Sequence, residues 1–113
     1  MTSPRVLITT LVSFICVLVM SWAGTAAETL DPRLQPGILL LESGEYIGAR
    51  EAFLALFQET PSDAQVNFYL GLSQVALEDY ENACLAFERT LMAEPDMARA
   101  RLELGRVYVK LGL

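Results

Sequence analysis

Apolar side chains recur every three or four residues from residue 34 onward, and short polar turns interrupt them at regular distances. This spacing is typical of amphipathic helices that bury one face. It predicts helices near residues 34–43, 46–59, 63–76, 80–92 and 97–111. Because the connections are short, consecutive helices are expected to run antiparallel. No apolar–polar alternation indicates a strand. The predicted fold is all-α, a stack of antiparallel helix-turn-helix hairpins.

The pattern also repeats with a fixed period, which is the interval from Gly37 to Gly71. One period after Gly37, Tyr46, Ala49, Phe53 and Pro61 come Gly71, Tyr80, Ala83, Phe87 and Pro95. A second step of the same length aligns Leu70, Gly71 and Val75 with Leu104, Gly105 and Val109. The chain therefore divides into a unit at 30–63, a unit at 64–97 and an incomplete third unit at 98–113.

The repeated small residues predict close helix packing. Ala49 and Ala83 each lie between two aromatic residues on one helix face, so a neighbouring helix could approach closely. Gly71 and Gly105 lie inside helical patterns, where glycine costs ~1 kcal/mol relative to alanine. We expect both glycines to contact a neighbouring helix closely enough to offset that cost.

The turns between units carry stop and start signals. Pro61 and Pro95 are expected to end the second helix of each unit, because proline lacks an N–H and restricts the residue before it. Ser62 and Asp63 would then cap the next helix in one turn, and Asp96 in the other.

The N-terminus has a different pattern. A single arginine is the only charge before Glu28, and residues 6–20 are continuously apolar before a run of small residues. This order predicts a secretory signal peptide, residues 1–27, cut after Ala27 or alternatively after Ala26. The apolar run is shorter than the ~20 residues that a spanning helix needs. A retained membrane anchor is the alternative.

Cleavage would leave residues 28–113 with seven basic and 14 acidic residues, a net charge of −7. Such a surface repels nucleic acid and anionic lipid, so no nucleic-acid partner is expected. A membrane contact is expected only through the signal segment or a further domain. Cys84 would be the single cysteine, which excludes an internal disulfide, and its small neighbours predict a core position.

The chain contains no histidine, which removes Ser-His pairs, Cys-His pairs and histidine metal sites. No glycine-rich stretch has the spacing of a phosphate loop. The adjacent carboxylates Glu78 and Asp79 are interpreted as solvated turn residues rather than a catalytic pair. We expect a non-catalytic protein with no metal, cofactor or small-molecule substrate.

The repeated residues resemble the tetratricopeptide repeat, whose pattern runs leucine–glycine, tyrosine, a small residue, an aromatic residue and proline. Residues 104–108, LGRVY, match its first part in full, and the alanine, phenylalanine and proline of the first two units match the rest. The departures are Pro36 at a leucine position, Asn67 and Arg101 at the tryptophan position, and Gln74 at the tyrosine position. The resemblance implies a short α-solenoid whose first helices line a concave groove.

The resemblance places a polar stripe of the last helix in that groove: Arg99, Glu103, Arg106 and Lys110. The equivalent stripe of the second unit contains Gln65, Tyr69, Leu72 and Ala76, with Phe68 beside it. Residues 98–113 carry a net charge of +3, from four basic and one acidic residue, whereas residues 28–97 carry −10, from three and 13. We expect the groove to bind a protein or peptide segment, with the basic residues meeting acidic groups and Tyr69 meeting apolar ones.

The alternative is that this stripe is a solvated face, in which Glu103 pairs with Arg99 and Arg106 and contributes little. Recognition of a C-terminal carboxylate is not expected. Phe68 and Leu102 occupy the positions where chaperone-binding repeats have the lysine of their carboxylate clamp.

A finer resemblance is to the surface lipoprotein assembly modifiers of Gram-negative bacteria, in which a periplasmic repeat domain precedes an outer-membrane β-barrel. The signal peptide, the acidic repeats and residues 95–113 carry it. It implies an accessory domain for lipoprotein export; a periplasmic scaffold, free or membrane-tethered, is the other interpretation. The last helix has apolar residues on both flanks, so we expect the sequence to be the N-terminal piece of a longer protein.

Overall fold

The computed structural model describes residues 29–113, so the predicted signal peptide lies outside the described residues. The described part has five α-helices: α1 Gln35–Glu42, α2 Tyr46–Glu59, α3 Ala64–Ala76, α4 Tyr80–Ala93 and α5 Ala98–Leu111. A 3₁₀ turn, Pro32–Leu34, leads into α1. Every helix agrees with its predicted range to within one residue at each end. No strand occurs in residues 29–113, and the all-α prediction is confirmed.

Each helix packs against the next one along the chain, and α3 lies at the centre of the stack. One core cluster joins α1, α2 and α3 through Leu34, Ile38, Ala49, Phe53, Val66 and Leu70. The other joins α3, α4 and α5 through Phe68, Ala83, Phe87, Ala100, Leu104 and Val107. Tyr69 packs against both clusters. The helices therefore form the predicted stack of hairpins, with α3 shared between two layers of core.

The glycines of α1 and α3 accept a phenylalanine ring from the following helix. A Cβ added to Gly37 would lie 2.5 Å from Cε1 of Phe53, and one added to Gly71 would lie 2.6 Å from Cε1 of Phe87. The close approach predicted at Gly71 is confirmed. The same prediction for Gly105 is wrong, because a Cβ there would meet nothing within 4 Å. In the first two units the ring comes from the helix after the glycine, and no described helix covers that side of α5.

The cap predicted at Asp63 is confirmed, and the one predicted at Asp96 is wrong. The Asp63 carboxylate accepts a hydrogen bond from the Val66 N–H over 3.1 Å, which satisfies one of the free N–H groups at the start of α3. The residue that precedes α5 is Met97, whose side chain makes no capping hydrogen bond. The period explains the difference, since the residue one period after Asp63 is Met97 rather than Asp96.

The first helix of each unit ends in the same left-handed turn. Gly44, Glu78 and Gly112 have φ angles of +85°, +59° and +76° and are related by the repeat period. In each turn the next N–H bonds back to a helical carbonyl over 2.9 Å: Glu45 to Leu40, Asp79 to Gln74 and Leu113 to Tyr108. These are the long-range bonds of Schellman motifs. Glycine adopts this conformation freely, whereas Glu78 adopts it against the steric preference of an L-residue.

The turns that follow α2 and α4 are each held by a side chain of the next helix, and the two side chains occupy equivalent positions of the repeat. Asn67 Nδ2 donates to the carbonyl oxygens of Pro61 and Asp63, each over 2.9 Å. One unit later, Arg101 Nη2 donates to the carbonyl oxygen of Pro95. Both residues therefore bond to a proline carbonyl, which joins the turn from one unit to the first helix of the next.

Candidate functional site

Four of the predicted groove residues lie around one recess between α3 and α5. Gln65, Phe68 and Tyr69 supply its α3 side, and Arg99 lies at the start of α5. Leu30 and Met97 complete the lining of this recess, which has a volume of about 220 Å³. The structure therefore brings Gln65 and Tyr69 of one predicted stripe together with Arg99 of the other.

The recess is apolar on one side and cationic on the other. The rings of Phe68 and Tyr69 pack edge to face, with centroids 5.5 Å apart and planes at 78°. The Arg99 guanidinium carbon lies 5.0 Å from the Phe68 ring centroid, within the range of a cation–π contact. Phe68 is buried and Arg99 is exposed. The ring therefore positions a charge at the edge of the recess.

The remaining predicted residues do not line this recess. Arg106 and Glu103 form an ion pair of 2.9 Å further along α5, as the solvated-face interpretation expected for that pair. Arg99 stacks on Phe68 instead of joining them. Lys110 is exposed near the end of α5, and Leu72 packs against the second core cluster.

Residues Thr29–Asp31 form an arm that lies against the recess. No sequence pattern indicated this contact. The Asp31 N–H donates to Gln65 Oε1 over 2.9 Å, and Gln65 Nε2 donates to the Thr29 carbonyl over 3.3 Å. The carboxylate of Asp31 is bonded to Arg33, and this hydrogen bond is the main cause that lowers the pKa of Asp31. The period could not reveal the arm, because it lies before the first helix.

A second polar cluster lies where α4 packs against α5. The Tyr108 hydroxyl donates to Glu88 Oε1 over 3.0 Å, and the Cys84 thiol donates to the same oxygen over 3.5 Å. The bond to Glu88 raises the pKa of Tyr108 to about 12, with burial as the next cause. Burial, followed by the contact with Glu88, raises the pKa of Cys84. A half-buried thiol that is harder to ionise is a poor nucleophile. We therefore interpret this cluster as a contact that holds α4 against α5.

A family model for the tetratricopeptide repeat matches residues 34–91 and again residues 70–113. No curated protein matches the chain. Across residues 29–113, none of the helices combines the length and the apolar character that crossing a membrane requires. The family match concerns the repeats. The signal peptide, the groove and the resemblance to surface lipoprotein assembly modifiers stay predictions.

Proposed function

Because this chain belongs to the tetratricopeptide repeat family, whose repeats typically bind protein partners, we propose that it is a non-catalytic scaffold that binds a peptide segment. The proposed site is the groove formed by α3 and α5. Its proposed location is the periplasm of a Gram-negative bacterium, after removal of residues 1–27. The scaffold role follows from the family, whereas the groove and the location are the parts that need testing.

One observation carries the groove assignment. Arg99 is held over the Phe68 ring at the edge of a recess that Tyr69 and Met97 also line. Such a recess offers an apolar surface and a cation to the same short segment. An acidic residue next to an apolar one in the partner would therefore satisfy both halves of the site.

The charge distribution supports the same partner chemistry. The end of the chain, residues 98–113, carries +3 within a protein whose remaining residues from 28 onward carry −10. An acidic segment is repelled by most of this surface and attracted to α5, so long-range electrostatics would guide it to the groove. Arg106 is exposed on α5 and pairs only at the surface with Glu103, where ion pairs contribute little and exchange partners readily.

The groove is tested by selecting short peptides from a displayed random library on the purified protein and measuring their affinities by fluorescence anisotropy. We expect the selected peptides to combine acidic and apolar residues. Arg99→Glu and Arg106→Glu together should weaken their binding at least about tenfold, because each change replaces attraction with repulsion. Arg50→Glu on α2, outside the groove, is the matched control and should leave the affinity within about twofold.

Unchanged binding by the double variant, with an unchanged circular dichroism spectrum, would refute the groove assignment. The location is tested separately by N-terminal sequencing of the protein recovered from a Gram-negative host. A periplasmic product that begins at residue 28 is expected. Recovery of the intact N-terminus in the membrane fraction would favour the tethered scaffold instead.

A further inference from the structure

The arm Thr29–Asp31 contacts the recess in the way that a bound peptide would. The two hydrogen bonds to Gln65 involve the carbonyl of Thr29 and the N–H of Asp31, the groups on either side of Leu30. In a parallel β-sheet, a residue of one strand likewise bonds to the carbonyl before and the N–H after the facing residue of the adjacent strand. The Gln65 side-chain amide thus takes the place of the N–H and C=O of a strand residue, and it bonds to the backbone of the arm rather than to its side chains.

The residue between the two bonds borders the recess. Leu30 lines it together with Phe68, Tyr69 and Met97, and 42% of this residue is exposed to solvent. A leucine-sized side chain therefore lies at the edge of the apolar half of the site. The arm does not bring its own acid to the cationic half, because Asp31 is bonded to Arg33 at 2.7 Å.

We propose that this arm is an internal stand-in for the groove's ligand. The ligand class is an extended peptide that presents a leucine-sized side chain between two peptide groups held by Gln65. Such a peptide must displace residues 29–31 before it binds. A carboxylate near its leucine would reach Arg99 and make a contact that the arm lacks, which favours the exchange. This inference rests on the proposed groove function and specifies the partner for it.

The arm should lower the apparent affinity of any external peptide. A segment tethered next to its own site acts at an effective concentration on the order of millimolar. The arm therefore prevents a peptide of weak or moderate affinity from occupying the groove unless the arm itself is weakened. Removing the Leu30 side chain weakens the arm while leaving the groove residues of α3 and α5 unchanged.

The test uses a synthetic peptide, acetyl-Glu-Thr-Leu-Asp-Pro-Arg-amide, which copies residues 28–33. It is titrated into isotope-labelled wild-type protein and into Leu30→Ser, with the side-chain amide signal of Gln65 as the readout. We expect Leu30→Ser to bind this peptide at least about tenfold more tightly than the wild type, because the tethered competitor is weakened. The same peptide with serine in place of leucine should shift the Gln65 signal in neither protein.

Two variants check the assignment. Leu85→Ser removes another leucine, 51% exposed on α4 and outside the recess, and should behave as the wild type. Gln65→Ala combined with Leu30→Ser should lose the gained affinity, because the groups that hold the peptide backbone are gone. Circular dichroism should show the same helix content in all of these proteins.

The outcomes separate this inference from the function on which it rests. Peptides selected from the library that bind wild type and Leu30→Ser with equal affinity would overturn the stand-in role and leave the groove function in place. If no selected or synthetic peptide binds either protein, the groove function fails and the inference fails with it. A tighter complex with Leu30→Ser that does not move the Gln65 signal would also overturn the inference, because binding would then lie elsewhere.

Discussion

The ring of Phe87 lies where a side chain at Gly71 would be. A Cβ built on this glycine would come within 2.6 Å of one ring carbon and 2.9 Å of two others, closer than carbon atoms can pack. The same relationship holds one unit earlier between Gly37 and Phe53. The glycine is therefore required by the distance between two helices rather than by the conformation of its own helix.

Gly71→Ala is expected to destabilise the protein by about 1–2 kcal/mol. Overpacking of a core costs about 1–3 kcal/mol, and the higher helix propensity of alanine returns up to ~1 kcal/mol. Gly105→Ala is the matched control, because its Cβ would meet nothing within 4 Å; it should stabilise α5 by up to ~1 kcal/mol. Urea unfolding followed by circular dichroism measures both. Equal effects at the two positions would contradict the packing explanation.

Replacing Glu78 with glycine should stabilise the protein. Its φ of +59° is a left-handed conformation that costs an L-residue about 1–2 kcal/mol. Glu78→Gly should therefore raise the free energy of unfolding by up to about 1 kcal/mol, after the entropy cost of glycine in the unfolded chain. Gly44→Ala, at the equivalent turn with φ +85°, should lower it by about 1 kcal/mol. Glu78→Gln separates charge from backbone: if it stabilises as much as glycine does, the conformational explanation fails.

Asn67 joins two units through the hydrogen bonds of its side chain. It is fully buried, donates to two turn carbonyls and accepts from Arg89 Nε over 2.8 Å. Asn67→Ala should cost about 2–3 kcal/mol, because the Pro61 carbonyl and Arg89 Nε lose their bonds to this side chain in a partly buried site. The Asp63 carbonyl keeps the bond from the N–H of residue 67. Arg101→Ala, at the equivalent but exposed position, should cost less than about 1 kcal/mol.

The pairing of Asn67 with Arg89 is measured by a double-mutant cycle, again from urea unfolding. Asn67→Ala combined with Arg89→Ala should cost less than the sum of the two single changes, since the first change already removes the bond. The guanidinium of Arg89 also lies 4.8 Å from the Phe57 ring centroid, so Arg89→Ala should retain a cost of its own. Strict additivity would mean that the bond contributes nothing.

Tyr108 should titrate at unusually high pH. Its bond to Glu88 raises the pKa from 10.0 to about 12. Because the folded-state pKa lies above the unfolded-state value, the stabilisation is fully present below pH ~10 and is lost as the pH rises toward 12. Titration of the tyrosinate absorbance should show this late step, and Tyr108→Phe should remove it. Glu88→Gln keeps an acceptor without the charge and should move the step down; a step that does not move would exclude Glu88 as its cause.

Much of the fold could be predicted because the signals are local or periodic. The spacing of apolar residues and the two prolines predicted five helices to within one residue at each end. The period also predicted that Gln65 and Arg99 would occupy equivalent places, and they line the same recess. The cap expected at Asp96 does not form, since the residue one period after Asp63 is Met97.

Other features depend on contacts between different elements, which no single position of the sequence indicates. Nothing in the residues around Asn67 indicates that it bonds to Pro61, or that Arg101 repeats the bond. The sequence also could not assign Arg99 to the Phe68 ring rather than to Glu103, because both partners are within reach of a long side chain. The relative positions of two helices decide between them.

The sequence alone determines where the helices begin and end, which faces they bury and how often the unit recurs, because these depend on backbone preferences and on the period of the side chains. The tertiary structure decides which equivalent positions of different units make the same contacts or adopt the same conformation. Gly71 receives a ring and Gly105 does not, Glu78 adopts a glycine's conformation, and Leu30 borders the recess. The physical reason is that each of these depends on what packs against the residue from another part of the chain, which a repeated motif does not specify.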